Sequence, residues 1–481
     1  MRKLVQRLAA AVLSLVLVGC AVGPDYRRPA VEIPRSWSIE EKDARDLADT
    51  AWWEQLNDPV LNDLVAAALR GNKDVKIAAA RIEEFSGRLS VSRGALLPQV
   101  GAGASAGREG LSRKGLPPIP STSPTVGSLY QSSAAASWEI DLFGKLRRAT
   151  EAARSDLLAT EEGKRATILS LVGSVVGEYV NLRDLDQQLE IARRTVQSRE
   201  DSYRIFRLRF HGGLISELEL NQAKSEYEQA LSTVPALERA IAQQEHSLSA
   251  LLGRNPGPIP RGAAIDRLGE PVVPAGLPSD LLERRPDIRR AEQELIAANA
   301  RIGVARAQYF PSISLTGALG GTSTDLSALF GGPARIWSYF VPVSVPIFTG
   351  GIIAGQVKIA EAQREQLLLR YQKAIQDAFR DMEDALSDQL RTREQLDAQG
   401  RRVETLRNYA RVARLRFDNG YTSYIEVLDA ERSLFDAELA YLQTRGALYQ
   451  ALVNLYKAMG GGWVVKAEKT ATGVGESAGS G

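Results

Sequence analysis

The sequence predicts a mainly α-helical chain with a membrane β part, built from two copies of one design, and three observations carry that prediction. The stretch Leu208-Arg209-Phe210-His211-Gly212-Gly213 returns 207 residues on as Leu415-Arg416-Phe417-Asp418-Asn419-Gly420, and the match runs without a gap through Ser216/Ser423, Ala223/Ala430 and Gly253/Gly460. A repeat of that order far exceeds solenoid periods and reads as duplication of a half-protein. Next to each turn lies a long proline-poor segment with a heptad seam, Ile168, Val175, Leu182, Leu189, Val196, Tyr203 and Phe210 in the first copy. Between the helical stretches, short segments alternate apolar and small or polar residues with period two, the signature of strands.

In chain order, Arg2, Lys3 and Arg7 precede the apolar run Leu8 to Val18, which ends at Leu17-Val18-Gly19-Cys20. Residues 1–19 therefore read as a secretory signal, too short to span a membrane as a helix. The stretch resembles a lipobox in which Cys20, the chain's single cysteine, becomes the acylated first residue. Ala21 follows it rather than an aspartate, so the usual inner-membrane retention signal is absent and the outer membrane is favoured. Residues 20–60, with Trp37, Trp52 and Trp53 and no long periodicity, are expected to wrap the outside of the structure.

A helix is expected over 61–93, with Asn57 or Asp58 as cap and Pro59 in its first turn. Its copy runs from Pro286 to Gln308, at an offset of 213 that also relates Leu97-Pro98 to Phe310-Pro311. The two β-hairpins fall in 95–141 and 309–350. Along Trp337, Tyr339, Val341, Val343, Val345 and Ile347 one face is wholly apolar, while Ser338, Pro342, Ser344 and Pro346 occupy the other. In the first copy Tyr130, Ala134, Ala136, Trp138, Ile140 and Leu142 alternate with Gln131, Ser133, Ser137, Glu139 and Asp141.

Such strands suit a transmembrane barrel, in which lipid-facing and lumen-facing residues alternate. A soluble sheet with one buried face would show the same alternation, and the aromatic residues on these strands favour the membrane. Counting goes further. Four strands per chain cannot close a pore, and an open sheet cannot sit in lipid with unpaired edges, so several chains must share one barrel.

From Lys145 to Phe210 there is no proline, enough for a helix roughly 100 Å long at the α-helical rise. A seam sustained over that length argues coiled-coil packing between neighbouring helices. The returning helices, about Glu217 to Leu252 and Tyr424 to Met459, are half as long, and Pro235 is a candidate kink in the first. Helical segments thus cover 61–94, 142–252, 286–308 and 351–459. Prolines from Pro256 to Pro278 mark a crossing band over 253–285, and 460–481 is a tail ending in a Gly/Ser/Ala-rich stretch.

The chain has 481 residues, 25% of them charged, and a net charge of +2, which shows no global pull toward nucleic acid. Two histidines, His211 and His246, and one cysteine leave little for a soft-ligand metal site or a Ser-His-Asp device. There is no phosphate-cradling glycine loop and no metal spacing, so an enzyme is not expected and no cofactor is implied beyond the lipid on Cys20. A lipid-anchored periplasmic coiled-coil scaffold would explain the heptads but not the alternating strands.

Four stretches together resemble the outer membrane efflux lipoproteins of the NodT/OprM-type branch of the TolC family. They are Leu17 to Tyr26, Leu281-Leu282-Glu283-Arg284-Arg285-Pro286-Asp287-Ile288, Leu428-Asp429-Ala430-Glu431, and Tyr456 to Trp463. The resemblance covers nearly the whole mature chain. It implies a homotrimer whose twelve strands form one outer-membrane barrel, four per chain, and whose helices form a periplasmic α-barrel. The implied role is the passive exit channel of a tripartite efflux pump in a Gram-negative bacterium, completed by a periplasmic membrane-fusion adaptor and an inner-membrane RND-type transporter. A TolC-like duct for secretion or metal efflux is the alternative within the family.

The resemblance also assigns a periplasmic gate to the second hairpin. Ile425 and Asp429, one helical turn apart, match its apolar and acidic rings, and Arg416 matches an arginine tethering the closed state. Leu218 and Gln222 hold the equivalent positions of the first hairpin, which lacks the acidic ring. Three carboxylates near an axis would repel anions and attract cations. The turns, with Gly212, Gly213 and Ser216 in one and Asn419, Gly420 and Ser423 in the other, are the implied adaptor-docking surface. On local grounds alone, Gly213 and Gly420 suit positive φ and Ser216 and Ser423 suit N-caps, while His211 reads as an exposed turn residue.

Overall fold

In the computed structural model, residues 21–31, 34, 37, 51–114, 120–122, 124–271, 281–461, 463–464 and 467–468 are described. The signal segment, Cys20 and the C-terminal Gly/Ser/Ala stretch lie outside them. The chain divides into two compact units, the first comprising 1–30, 81–160 and 291–371 and the second 31–80, 161–290 and 372–481.

The first unit carries the sheet. Strands β1 (Gln99–Gly110), β2 (Val126–Ile140), β3 (Ser312–Ser323) and β4 (Arg335–Phe340) follow one another in antiparallel order, and the short β5 (Val343–Ser344) continues beside β3. Directly opposed residues of an antiparallel pair share a face. The register sets Val100 against Ala136, Trp138 against Leu315, Ala134 against Leu319, and Leu319 against Trp337, with Tyr339 opposite Gly317. These apolar positions of the two hairpins therefore collect on one face. Ser133, Ser137, Ser314, Thr316 and Ser338 collect on the other, together with the apolar Leu129, Ala135, Ala318, Ile336 and Phe340.

Among the described residues nothing covers the apolar face. Val100, Leu319, Trp337, Tyr339 and Val343 are all more than half exposed, and Trp337 stacks on Tyr339 at 6.1 Å. The expected continuous return strand from Trp337 to Ile347 is a correction: it breaks after Phe340. Pro342 has no N–H for the ladder, and only its carbonyl reaches β3, accepting from Ser314 N at 3.1 Å.

Close packing on small side chains holds the helices of this unit. Ala152 on α3 (Lys145–His211) meets Ala297 and Ala300 on α5 (Pro286–Ala307). Ile302 and Ala305 of α5 meet Ala360 of α6 (Ile352–Asp418). Residues 21–28 run along this surface as a strap. Val22 N donates to Phe143 O at 3.0 Å, Asn299 Nδ2 to Pro24 O at 2.8 Å, and Tyr26 and Arg28 both donate to Glu292. Gly23, at φ 112°, lies so close to α5 that a Cβ there would come within 2.5 Å of Gly303 Cα.

The second unit opens on α1 (Pro59–Gly71), whose N-cap Asp58 accepts from Val60 N at 2.9 Å. Asp58 is fully buried, and its other oxygen accepts from Tyr179 Oη at 2.6 Å and Ala263 N at 3.0 Å. The single helix expected over 61–93 is in fact two. Asn72 ends α1 and caps α2 (Lys73–Gly94) through bonds from Asp74 N and Val75 N, while its Nδ2 donates to Leu251 O at 2.9 Å. Gly71 is required beside it, because a Cβ would sit 2.3 Å from Leu252 O.

The duplication is visible in helix lengths: α3 and α6 each have 67 residues, and the returning helices α4 (Glu217–Leu251) and α7 (Tyr424–Ala458) each have 35. Helix α4 continues through Pro235. In α3 the seam residues Ile168, Val175 and Leu182 are buried, and in α6 so are Ile375, Met382, Gln389 and Val403. Trp52 stacks on Tyr456 at 4.8 Å, with Trp53 and Trp463 edge-on, closing an aromatic core in this unit. Among the described residues no helix is long and apolar enough to cross a membrane.

Candidate functional site

The two turns that end the long helices have the same backbone. Gly213 has φ 72° and Gly420 φ 75°. Leu214 N donates to Arg209 O and Gly213 N to Phe210 O, and Tyr421 N and Gly420 N repeat the pair on Arg416 O and Phe417 O. This pair of hydrogen bonds is the Schellman stop, in which a glycine takes the left-handed position that strains most other residues.

Next to the turns the two hairpins share one core. Phe206 of α3, Ala223 of α4, Ala413 of α6 and Tyr424, Val427 and Ala430 of α7 are buried together. The Phe206 ring lies 4.0 Å from Tyr424, which lies 5.2 Å from Phe417. Arg209 places its guanidinium 5.7 Å over the Phe417 ring, a cation–π contact between hairpins. Deeper along the helices Arg199, almost fully buried, pairs with Glu226 at 3.0 Å, and Arg414 approaches Glu431 at 3.9 Å. Burial raises the Glu431 carboxyl above its ordinary range, with Arg414 and Arg199 pulling the other way.

The candidate gate residues lie on the exposed side of this core. Ile425 is 57% exposed, and Asp429 follows one turn along the same helix, so both are free to meet something outside the chain. Asp429 and Arg416 are not joined to each other. Asp429 accepts from Arg432 at 3.0 Å within α7, and Arg416 Nη1 donates to Glu426 at 3.0 Å across the turn. Glu426 is the partner of Arg416 that sequence reasoning left unassigned. The Asp429–Arg432 pair was open to detection, since charges three apart on a helix are neighbours.

The two turns differ at their N-caps. Ser216 caps α4 with a complete capping box, whereas Ser423 takes the N-cap conformation of α7 without a side-chain cap bond, a correction to its expected role. Asn419 Nδ2 donates to Leu415 O at 2.7 Å. Gly212, Gly213, Ser216, Asn419, Gly420 and Ser423 are all exposed, and Leu214 and Tyr421 beside them present apolar side chains that are 76% and 78% exposed.

Comparison with known proteins agrees with this construction. The family model described as outer membrane efflux protein matches residues 64–254 and 277–461. The chain is 37% identical to the toluene efflux pump outer membrane protein TtgI of Pseudomonas putida over 461 residues, covering 94% of this chain and 97% of that protein. It is 35% identical to the cation efflux system protein CusC of Escherichia coli over 457 residues, again covering 94% and 97%. Among solved structures, the open state of the MtrE outer membrane channel of Neisseria gonorrhoeae superposes with a TM-score of 0.83 at 31% identity, covering 92% of this chain and 99% of that one. With both halves of the duplication matched and the strand and hairpin architecture in place, the chain belongs to the outer membrane efflux protein family and is an outer-membrane exit channel of an efflux pump.

Proposed function

We propose that three copies of this chain close a single twelve-stranded barrel and helical tunnel, the passive exit duct of a tripartite pump. The observation that carries this reading is the sheet. Its outer strands β1 and β4 each have one strand neighbour among the described residues, and its apolar face is uncovered. Unpaired edges are not tolerated in lipid, so the strands must close with those of other copies. The lumen would then be lined by the serine and threonine face. Acylation at Cys20 would add a second hold on the outer membrane, delivered by the strap at residues 21–28.

The energy source and the contact across the periplasm come from partners, an inner-membrane RND-type transporter and a membrane-fusion adaptor. Exposed Leu214, Tyr421 and the two turns support adaptor docking, and exposed Ile425 and Asp429 support a gate ring closed by the symmetry axis. Small apolar organic molecules, of which the toluene named for TtgI is an example, are the leading reading for the cargo. Cations, named for CusC, are the second.

The test is direct. Purified protein in detergent should run as a trimer by light scattering and conduct in planar bilayers, and its deletion should sensitise cells to organic solvents or drugs. A monomer that neither inserts nor conducts overturns the channel. Sensitisation to toxic cations alone transfers the cargo to the second reading.

A further inference from the structure

The internal duplication supplies a control for a capping bond that one turn makes and the other does not. In the first, Ser216-x-x-Glu219 forms a closed capping box: Ser216 Oγ accepts from Glu219 N at 3.3 Å, and Glu219 Oε2 accepts from Ser216 N at 2.8 Å and from Ser216 Oγ at 2.9 Å. The second has the same residues at Ser423 and Glu426 and the same backbone, φ −77° and ψ 157° at Ser423 against −78° and 158° at Ser216. Its box is nevertheless open. The Glu426 carboxylate accepts instead from Arg416 Nη1 at 3.0 Å and from Thr422 Oγ1.

One difference of sequence and one of packing explain the choice. Thr422 stands where the first copy has Ile215, which has no hydroxyl to offer. Arg209, the counterpart of Arg416, is held over the Phe417 ring and leaves Glu219 to the cap. Because the backbones coincide, Glu426 can pass from the Arg416 side to the Ser423 side by side-chain rotation alone. A Ser/Glu pair at N-cap and N3 is the arrangement that satisfies two of the free N–H groups at a helix start.

We propose that Glu426 is a two-position residue, latched to Arg416 in one state of the hairpin and capping α7 through Ser423 in the other. When Arg416 leaves for a group outside the hairpin, Glu426 turns to the cap, and the lost ion pair is offset by the bonds that Glu219 already makes in the first copy. Glu426 is thus a positioning residue for Arg416. The proposal rests on the gate reading, in which Arg416 exchanges partners as the channel changes state.

The experiment uses the full chain, reconstituted in lipid nanodiscs, with site-resolved amide hydrogen exchange over residues 421–430 and conductance measured in parallel. Arg416→Ala frees Glu426 to cap, so exchange at the Ser423 amide should slow about fivefold, the factor expected for one capping interaction. The Arg416→Ala, Glu426→Ala double variant should lose that protection. Arg416→Gln repeats the measurement with a side chain of similar reach should the alanine variant assemble poorly. Unchanged or faster exchange in both Arg416 variants overturns the two-position assignment, whatever the conductance does. Slowed exchange with unchanged conductance keeps the assignment and removes Arg416 from the gate.

Discussion

Substituting Leu319 by arginine tests the facing of the sheet where the register leaves least freedom. Leu319 lies in β3 opposite Ala134 on one side and Trp337 on the other, and its side chain is 59% exposed within the chain. If that face meets lipid, an arginine near the bilayer midplane costs about 2–4 kcal/mol per chain. Three copies in one barrel would bring the sum to roughly 6–12 kcal/mol, comparable with the whole stability of a typical domain. Leu319→Arg should therefore abolish trimer assembly in the outer membrane. Ala318, the next residue, pairs with Ala135 and Ser338 on the opposite face, so Ala318→Arg should assemble and instead change conductance and ion selectivity. The assay is the heat-modifiable trimer band in membrane fractions, followed by bilayer recording of whatever assembles. Normal assembly of Leu319→Arg with failure of Ala318→Arg would invert the facing, and equal effects would refute the barrel.

Three further outcomes follow from the same structure. Cys20→Ser should abolish acylation yet leave the protein in the outer membrane, since one lipid chain adds far less membrane affinity than a closed barrel; folded protein found only in the soluble periplasmic fraction would contradict this. Asp184 is buried with, among the described residues, only Gln188 donating to it, and desolvation raises its carboxyl from 3.8 to about 6. A carboxyl raised in the folded state weakens the fold as pH climbs from about 4 through about 6, so Asp184→Asn should stabilise by on the order of 1–3 kcal/mol at pH 7.5 and by nothing at pH 4 in thermal unfolding. Asp429→Ala combined with Arg416→Ala should raise resting single-channel conductance and admit vancomycin, from ~1 kcal/mol per chain in accessible charged contacts, while Gln222→Ala does much less; unchanged conductance with the trimer intact would remove both residues from the gate.

What the sequence determined by itself was set by local periodicity. The repeat at 207 residues became two long helices of 67 residues, because proline-free heptads admit little else, and two returning helices of 35, the first of which runs on through Pro235. Alternation along the strands put Trp138, Leu315, Leu319 and Trp337 on one face, since side-chain direction in a strand has period two whatever the neighbours. Gly213 and Gly420 ended the long helices as read, the left-handed turn being a backbone requirement.

Only the tertiary structure decided what depends on groups brought from elsewhere. Asn72 splits the first helix because Leu251, 179 residues on, offers its carbonyl to the same side chain. The return strand breaks after Phe340 because Pro342 must lie against β3 without a donor of its own. Arg416 and Arg209 occupy matching positions of a duplicated turn, yet one grips Glu426 and the other covers Phe417. Helix and strand formation follow from patterns a few residues long. The partner of a charged side chain instead follows from which groups the packed hairpins leave within about 3 Å of it, a distance that spacing along the chain does not encode.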